Sequence, residues 1–205
     1  MLENIHWLGH ASFRLEGDGA VVYLDPRNVK NPVPADVVLV THSHFDHLSA
    51  PDIAKISGPK TVIVCPTSCV NKLKGDVRAV APGDTLHLGK VTVEAVPAYN
   101  INKPNHPRNA GNVGYVVELG GQRVYLAGDS DLIPEMSAIR CDVALLPVGG
   151  TYTMNADEAV QAARTINPKF AVPMHWGEVV GTREDAERFV ELLPQGIQGV
   201  ILKVE

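Results

Sequence analysis

The chain has 205 residues, of which 45% are hydrophobic and 20% charged, with a formal net charge of −5. That length suits one domain, 1–205, with a sizeable core, and the ordinary globular composition excludes a disordered chain. The acidic balance without a lysine–arginine run argues against nucleic acid as a partner, and no stretch approaches the roughly 20 apolar residues of a membrane span.

The opening Met1-Leu2-Glu3-Asn4 carries an acid and no apolar core, so no signal peptide is expected and the cytoplasm is the expected compartment. Cys65, Cys69 and Cys141 form neither an even framework nor a zinc-ribbon spacing, and they read as free thiols of a reducing compartment. A Cys65–Cys69 metal pair lacks further local ligands.

Three short apolar segments, 5–8, 12–15 and 20–24, are separated by Gly9 and by Gly17-Asp18-Gly19, which predicts an antiparallel β start with a hairpin. Asp25-Pro26 ends the third. The run 37–40, Val-Val-Leu-Val, reads as a buried strand, and directly behind it stands Thr41-His42-Ser43-His44-Phe45-Asp46-His47. Ligand sites of α/β sheets commonly lie at such carboxyl ends. In an extended segment His42 and His44 point the same way and can hold one ion, while a turn lets Asp46 and His47 face a second one. Imidazole and carboxylate donors suit zinc, manganese or iron.

Short helices are predicted over 51–56, opened by Ser49, and over 67–73, closed by Gly75, with a strand at 61–64 between them. Strands follow at 77–80, 84–88 and 91–96. The stretch 99–111 is polar and rich in Asn and Pro, and a long irregular loop of this kind is often functional. A hairpin at 115–119 and 123–127 leads straight into Gly128-Asp129. After a strand at 143–146 and a loop at 147–153, Asn155 caps a helix to about 166, with Asp157 and Glu158 in its first turn. A strand at 169–172 runs into Pro173-Met174-His175, a helix spans 182–193 behind Thr182, and a last strand is expected at 197–203.

His42, His44, Asp46 and His47 in an H-x-H-x-D-H pattern after a strand resemble the signature of the metallo-β-lactamase superfamily. Trp7-Leu8-Gly9-His10-Ala11-Ser12, Gly128-Asp129-Ser130 and Pro173-Met174-His175-Trp176-Gly177 extend the resemblance over most of the chain, toward the small stand-alone hydrolases that include ascorbate-6-phosphate lactonase-like proteins. It implies an α/β fold, the αββα sandwich of two mixed sheets flanked by helices, with metals in a cleft along one sheet edge.

The resemblance also implies a ligand set. His42, His44 and a third histidine would hold one metal, Asp46, His47 and His175 the other, and Asp129 would bridge them. Where many relatives carry the third histidine, this chain has Tyr99-Asn100; His106 is the nearby imidazole, the alternative being a site with fewer protein ligands. Asp25 is the candidate to support the histidine cluster from behind, against a simple strand-ending turn. His10 is expected to touch substrate or back a ligand, and His6 and His87 to be structural. The 148–153 segment and the Asn-rich loop would wall the cleft, with Asn102, Lys103, Arg108 and Tyr152 as candidate substrate contacts.

The expected chemistry is hydrolysis of a small-molecule ester, lactone or phosphodiester by water activated between two divalent ions, zinc above all, with Asp46 as the catalytic residue that orients the nucleophile and accepts its proton. The rival readings are a non-catalytic metal-binding or sensing protein and a di-iron redox protein on the same scaffold. A homo-oligomer stays open.

Overall fold

The computed structural model describes residues 2–205. The first half of the chain forms a six-stranded sheet of β1 (Ile5–Gly9), β2 (Ser12–Gly17), β3 (Ala20–Leu24), β4 (Val37–Leu39), β5 (Val62–Pro66) and β6 (Asp76–Val80), side by side in that order. β1 to β3 pair antiparallel and β3 to β6 parallel. The second half repeats the plan in a seven-stranded sheet of β7 (Thr85–Leu88), β8 (Val91–Pro97), β9 (Val113–Leu119), β10 (Gln122–Leu126), β11 (Val143–Pro147), β12 (Phe170–Met174) and β13 (Gln198–Gly199). There β7 to β10 are antiparallel and β10 to β13 parallel.

The period-2 alternation of the strands decides how the layers stack. Val22, Leu24, Val37, Leu39 and Val64 enter one core with Val93, Tyr115, Val117, Leu126 and Leu145 of the second sheet. Their alternates Tyr23, Val38, Val40, Ile63 and Cys65 face the other way and form a second cluster with Ile53, Ile56 and Cys69. Those last three come from α1 (Ala50–Ile56) and α2 (Thr67–Val70), which therefore cover the outer face of the first sheet. Strands buried on both faces are near-continuous in apolar residues, as β4, β5, β11 and β12 are here. On the second sheet, α3 (Ala156–Ile166) packs against β11 and α4 (Arg183–Leu192) against β12 and β13. Both open with a capping box, Asn155 with Glu158 and Thr182 with Asp185. The result is an α/β sandwich of two mixed sheets flanked by helices.

Two expectations are corrected. The helix at 67–73 is a single turn, because Lys72 and Leu73 close i→i+3 turns onto Cys69 and Val70 instead of continuing the α ladder. The strand at 197–203 is reduced to Gln198–Gly199; beyond it the chain crosses to the first sheet, where Val204 bridges Trp7 and the Glu205 amide donates to the Trp7 carbonyl. Among the described residues no helix is long and apolar enough to cross a membrane.

Candidate metal centre

β1, β3 and β4 run the same way in the first sheet, and β8, β10 and β12 do so in the second. The residues that follow the carboxyl ends of these six strands meet at one edge of the sandwich. β1 delivers His10, β3 Asp25, β4 the 41–47 segment, β8 the loop with His106, β10 Asp129 and β12 His175. Gly128, at φ +61°, turns the chain after β10, and a Cβ there would come within 3.3 Å of Thr41 and of the Val113 carbonyl. Gly149 lies so close to His175 that a Cβ would stand 2.5 Å from its carbonyl oxygen.

Two groups of donor atoms result. In the first, His44 Nδ1 lies 3.2 Å from His42 Nε2 and 3.1 Å from His106 Nε2. Asp129 Oδ2 completes it, 3.4 Å from His106 Nε2 and 3.8 Å from His42 Nε2. In the second, Asp46 Oδ2 lies 3.2 Å from His10 Nε2, 3.7 Å from His175 Nε2 and 3.8 Å from His47 Nε2. Asp129 joins this group too, with Oδ1 3.0 Å from His47 Nε2 and Oδ2 3.2 Å from His175 Nε2. A tetrahedral ion with ligands at about 2.0–2.2 Å separates its donors by roughly 3.3–3.6 Å. These spacings therefore fit a cation inside each group.

The hydrogen bonds behind the rings fix which nitrogen faces inward. Asp25 is fully buried and accepts on Oδ2 from His47 Nδ1 at 2.7 Å and from the Thr41 hydroxyl at 2.7 Å, and on Oδ1 from the Thr41 amide. With its hydroxyl proton given to Asp25, Thr41 Oγ1 accepts from His42 Nδ1 at 2.9 Å. Asn100 Oδ1 likewise accepts from His106 Nδ1 at 2.9 Å. His42 and His106 then turn an unprotonated Nε2 toward the carboxylates, the tautomer a metal ligand needs, and His47 does so once its Nε2 gives up a proton.

A lone pair aimed at an anionic oxygen is unfavourable unless a cation lies between them. Five of the six buried side-chain nitrogen or oxygen atoms without a hydrogen-bond partner among the described residues lie here: His10 Nδ1, His47 Nε2, Asp129 Oδ1 and both ring nitrogens of His175. Unsatisfied buried polar atoms normally call for an unseen ion or water. In the metal-free groups a proton on His47 takes the place of the cation. Burial disfavours a charged His47, yet the Asp129 and Asp25 carboxylates outweigh it and push its pKa well above the usual imidazole range. Burial also penalises ionised Asp129, but His47 and His175 hold it well below the carboxylate range. Asp46 is lowered against its own burial by the His10 bond and the His47 charge. Burial first of all keeps His10, His42 and His106 low, hence neutral.

A cavity of about 250 Å³ opens over these groups, lined by His44, Phe45, Asp46, Asn105, His106, Asp129, Tyr152 and Val179. Tyr152 is thus at the cleft as expected, but Asn102 and Arg108 are not among its lining residues. Arg108 points away, bound to Glu135 at 2.8 Å and lying over the Tyr99 ring, and Lys103 is held by Asp131. Asn105, Phe45 and Val179 stand in their place, and Phe45 is 72% exposed. A larger cavity of about 430 Å³ beside Trp7 and Trp176 touches only His10 of the two groups.

Sequence reasoning missed the backing roles of Thr41 and Asn100, for which adjacency to His42 and to the 99–111 loop was the only signal. His6 stays half-buried between Glu16 and Glu205, and His87 is exposed on β7, both away from the site.

Comparison with known proteins agrees with this architecture. The model of the beta-lactamase superfamily domain matches residues 4–175. A UPF0173 metal-dependent hydrolase of Archaeoglobus fulgidus is 35% identical over 97% of this chain and 95% of that protein. One of Thermoplasma acidophilum is 37% identical over 93% of this chain and 92% of that protein. Among solved structures, one from Parabacteroides distasonis classed as a metal-dependent hydrolase superimposes with a TM-score of 0.87 at 34% identity, covering 98% of this chain and 93% of that one. A metallo-β-lactamase superfamily structure from Thermotoga maritima gives 0.69 at 25% identity, covering 98% of both chains. The chain belongs to the metallo-β-lactamase superfamily and, within it, to the UPF0173 metal-dependent hydrolases.

Proposed function

We propose that the protein hydrolyses an uncharged small-molecule ester or lactone with the help of two divalent ions, zinc first among them. The observation that carries this reading is the pair of donor groups sharing Asp129: His42, His44 and His106 with its Oδ2, and Asp46, His47 and His175 with both of its oxygens. Ions bound there supply Lewis acidity and an activated water at neutral pH. The protein's own groups do the rest. Asp25, Thr41 and Asn100 hold the inward tautomers, so the rings need no reorganisation when an ion is bound. Asp46 is kept ionised by its neighbours and lines the cavity, so its carboxylate orients the attacking water and accepts its proton.

The substrate class follows from the cleft. Its lining includes Phe45, Tyr152 and Val179 but neither lysine nor arginine, and the nearby Lys103 and Arg108 are committed to Asp131 and Glu135. A phosphodiester or phosphorylated substrate would find no cation there beyond the ions themselves, whereas an apolar group beside the scissile carbonyl would rest on Phe45 and Val179. We accordingly rank ester and lactone above phosphodiester and read the chain as one domain acting on a small molecule.

The test is hydrolysis of p-nitrophenyl acetate, p-nitrophenyl butyrate, γ-butyrolactone and bis(p-nitrophenyl) phosphate by zinc-loaded protein, before and after chelation. Carboxyl-ester or lactone turnover that chelation abolishes and zinc restores is the expected result. Turnover confined to the phosphodiester would overturn the substrate class, and none on any of the four with two ions bound would overturn the reading as a whole.

A further inference from the structure

His10 looks from sequence like a residue beside the cleft, but its geometry matches that of the ligands. Its side chain is 1% exposed, and its Nε2 is the nearest of the three imidazole nitrogens arranged around Asp46 Oδ2, at 3.2 Å against 3.7 Å for His175 and 3.8 Å for His47. The three rings are packed together, with the His10 centroid 4.0 Å from that of His175 at a tilt of 45° and 5.7 Å from that of His47, edge to face. One carboxylate oxygen cannot take a well-formed hydrogen bond from all three, whereas one cation can be bound by all three nitrogens and the oxygen together.

The backbone is also committed to this placement. His10 has φ +51°, in the left-handed region that side-chain-bearing residues adopt only when the surroundings hold them there. Its carbonyl accepts from the Trp7 indole and from the His175 amide, each at 3.0 Å. His175 itself has φ +58°. The two strained residues are thus tied to one another, and both turn their rings onto the same oxygen.

We propose that His10 is a protein ligand of the second ion, beside Asp46, His47, His175 and Asp129. This rests on the two-ion reading above. The second ion then has five protein donors, all of them buried, against four for the first, one of which is the exposed His44. A metal enclosed by protein donors behaves as a structural ion, while one with a free position accepts substrate. It follows that the second ion ties together four strand ends, those of β1, β4, β10 and β12, and that the first, beside the cavity, is the one that meets the substrate.

The full-length chain and its His10→Ala and His10→Gln variants, with folding checked by circular dichroism, would be titrated with zinc and with cobalt after chelator stripping. Bound metal would be measured by mass spectrometry and cobalt coordination by visible absorption. Two ions in the parent, with one site weakened about 100-fold or more in both variants and an altered cobalt spectrum, is the result expected for a lost ligand. Two ions with an unchanged cobalt spectrum in both variants, whether at parental affinity or weakened by no more than the roughly 10–100-fold of an orienting residue, would overturn the proposal and leave His10 as a donor that merely orients Asp46. A parent that binds a single ion would overturn the two-ion reading instead, and His10 would then stand or fall on whether its variants weaken that ion.

Discussion

The two donor groups share Asp129 but are built differently. His42 and His44 come from one short extended segment, and His106 reaches them across a 62-residue separation from the Asn-rich loop; His44 is exposed at the cavity mouth. The other group draws on four separate stretches, through His10, Asp46-His47, Asp129 and His175, and every member is buried. Burial and ligand number both slow the loss of an ion, so on the two-ion reading proposed above the contrast predicts that the two sites differ in lability as well as in position.

The sharpest way to break that contrast is at the shared residue. Asp129→Ala removes a donor from both groups and is expected to drop metal content from two ions to less than one, with chelator-sensitive hydrolysis abolished, as metal analysis and esterase assays would register. Removing a donor from one group only should separate the sites. His44→Ala is expected to lose one ion and keep the other through a chelator challenge, and a variant that lost both at the same chelator concentration would show the groups to be equivalent.

Residues behind the rings should act more gently. Asp25→Asn deprives His47 Nδ1 of its acceptor, and Asn100→Leu does the same for His106, so each is expected to weaken its own site by roughly 10–100-fold, read as a shift in one step of a zinc titration. Because the ligands must be deprotonated, both sites should also release protons on loading and weaken as the pH falls. Gly149→Ala forces a methyl against the His175 carbonyl and the Val180 side chain, and should cost about 1–3 kcal/mol in denaturant melts. Phe45→Ala, by contrast, should leave stability within about 0.5 kcal/mol while raising KM for p-nitrophenyl butyrate.

The smallest effect lies outside the site. Burial by itself would raise the Asp52 carboxyl, but bonds from Lys55, Ser49 and the Asn28 amide hold it below its usual value. A carboxylate with a depressed folded pKa contributes stability above its unfolded pKa of about 3.9 and loses it as pH falls through the folded value. Asp52→Asn should therefore cost about 1 kcal/mol at pH 7, with the gap to the parent closing below about pH 4 in urea melts.

Most strands were legible because their apolar residues are short β-branched runs bounded by Gly, Pro or Asp, and α1 and α3 because Ser49 and Asn155 announce their caps. The end of the chain was not, since Val204 and Glu205 are held by Trp7, 197 and 198 positions away, rather than by any local pattern, through contacts of a kind sequence periodicity does not carry. In the site, the 42–47 segment announced itself by spacing. His106 could be named only because it was the nearby imidazole of its loop, and His10 only as a neighbour of the cleft, because what aligns their rings is Asn100 in one case and a left-handed backbone pinned by Trp7 and His175 in the other.

The sequence by itself determined the kind of chemistry this protein carries. Histidine and carboxylate side chains placed just past apolar strands offer metal donors whatever the details of packing, and that information is local. Which atoms share an ion, which nitrogen of each ring points inward, and which face of the centre is open were decided only when two sheets stacked and brought six strand ends together. Those properties depend on distances between residues up to 165 positions apart, from His10 to His175, and no local pattern fixes such distances.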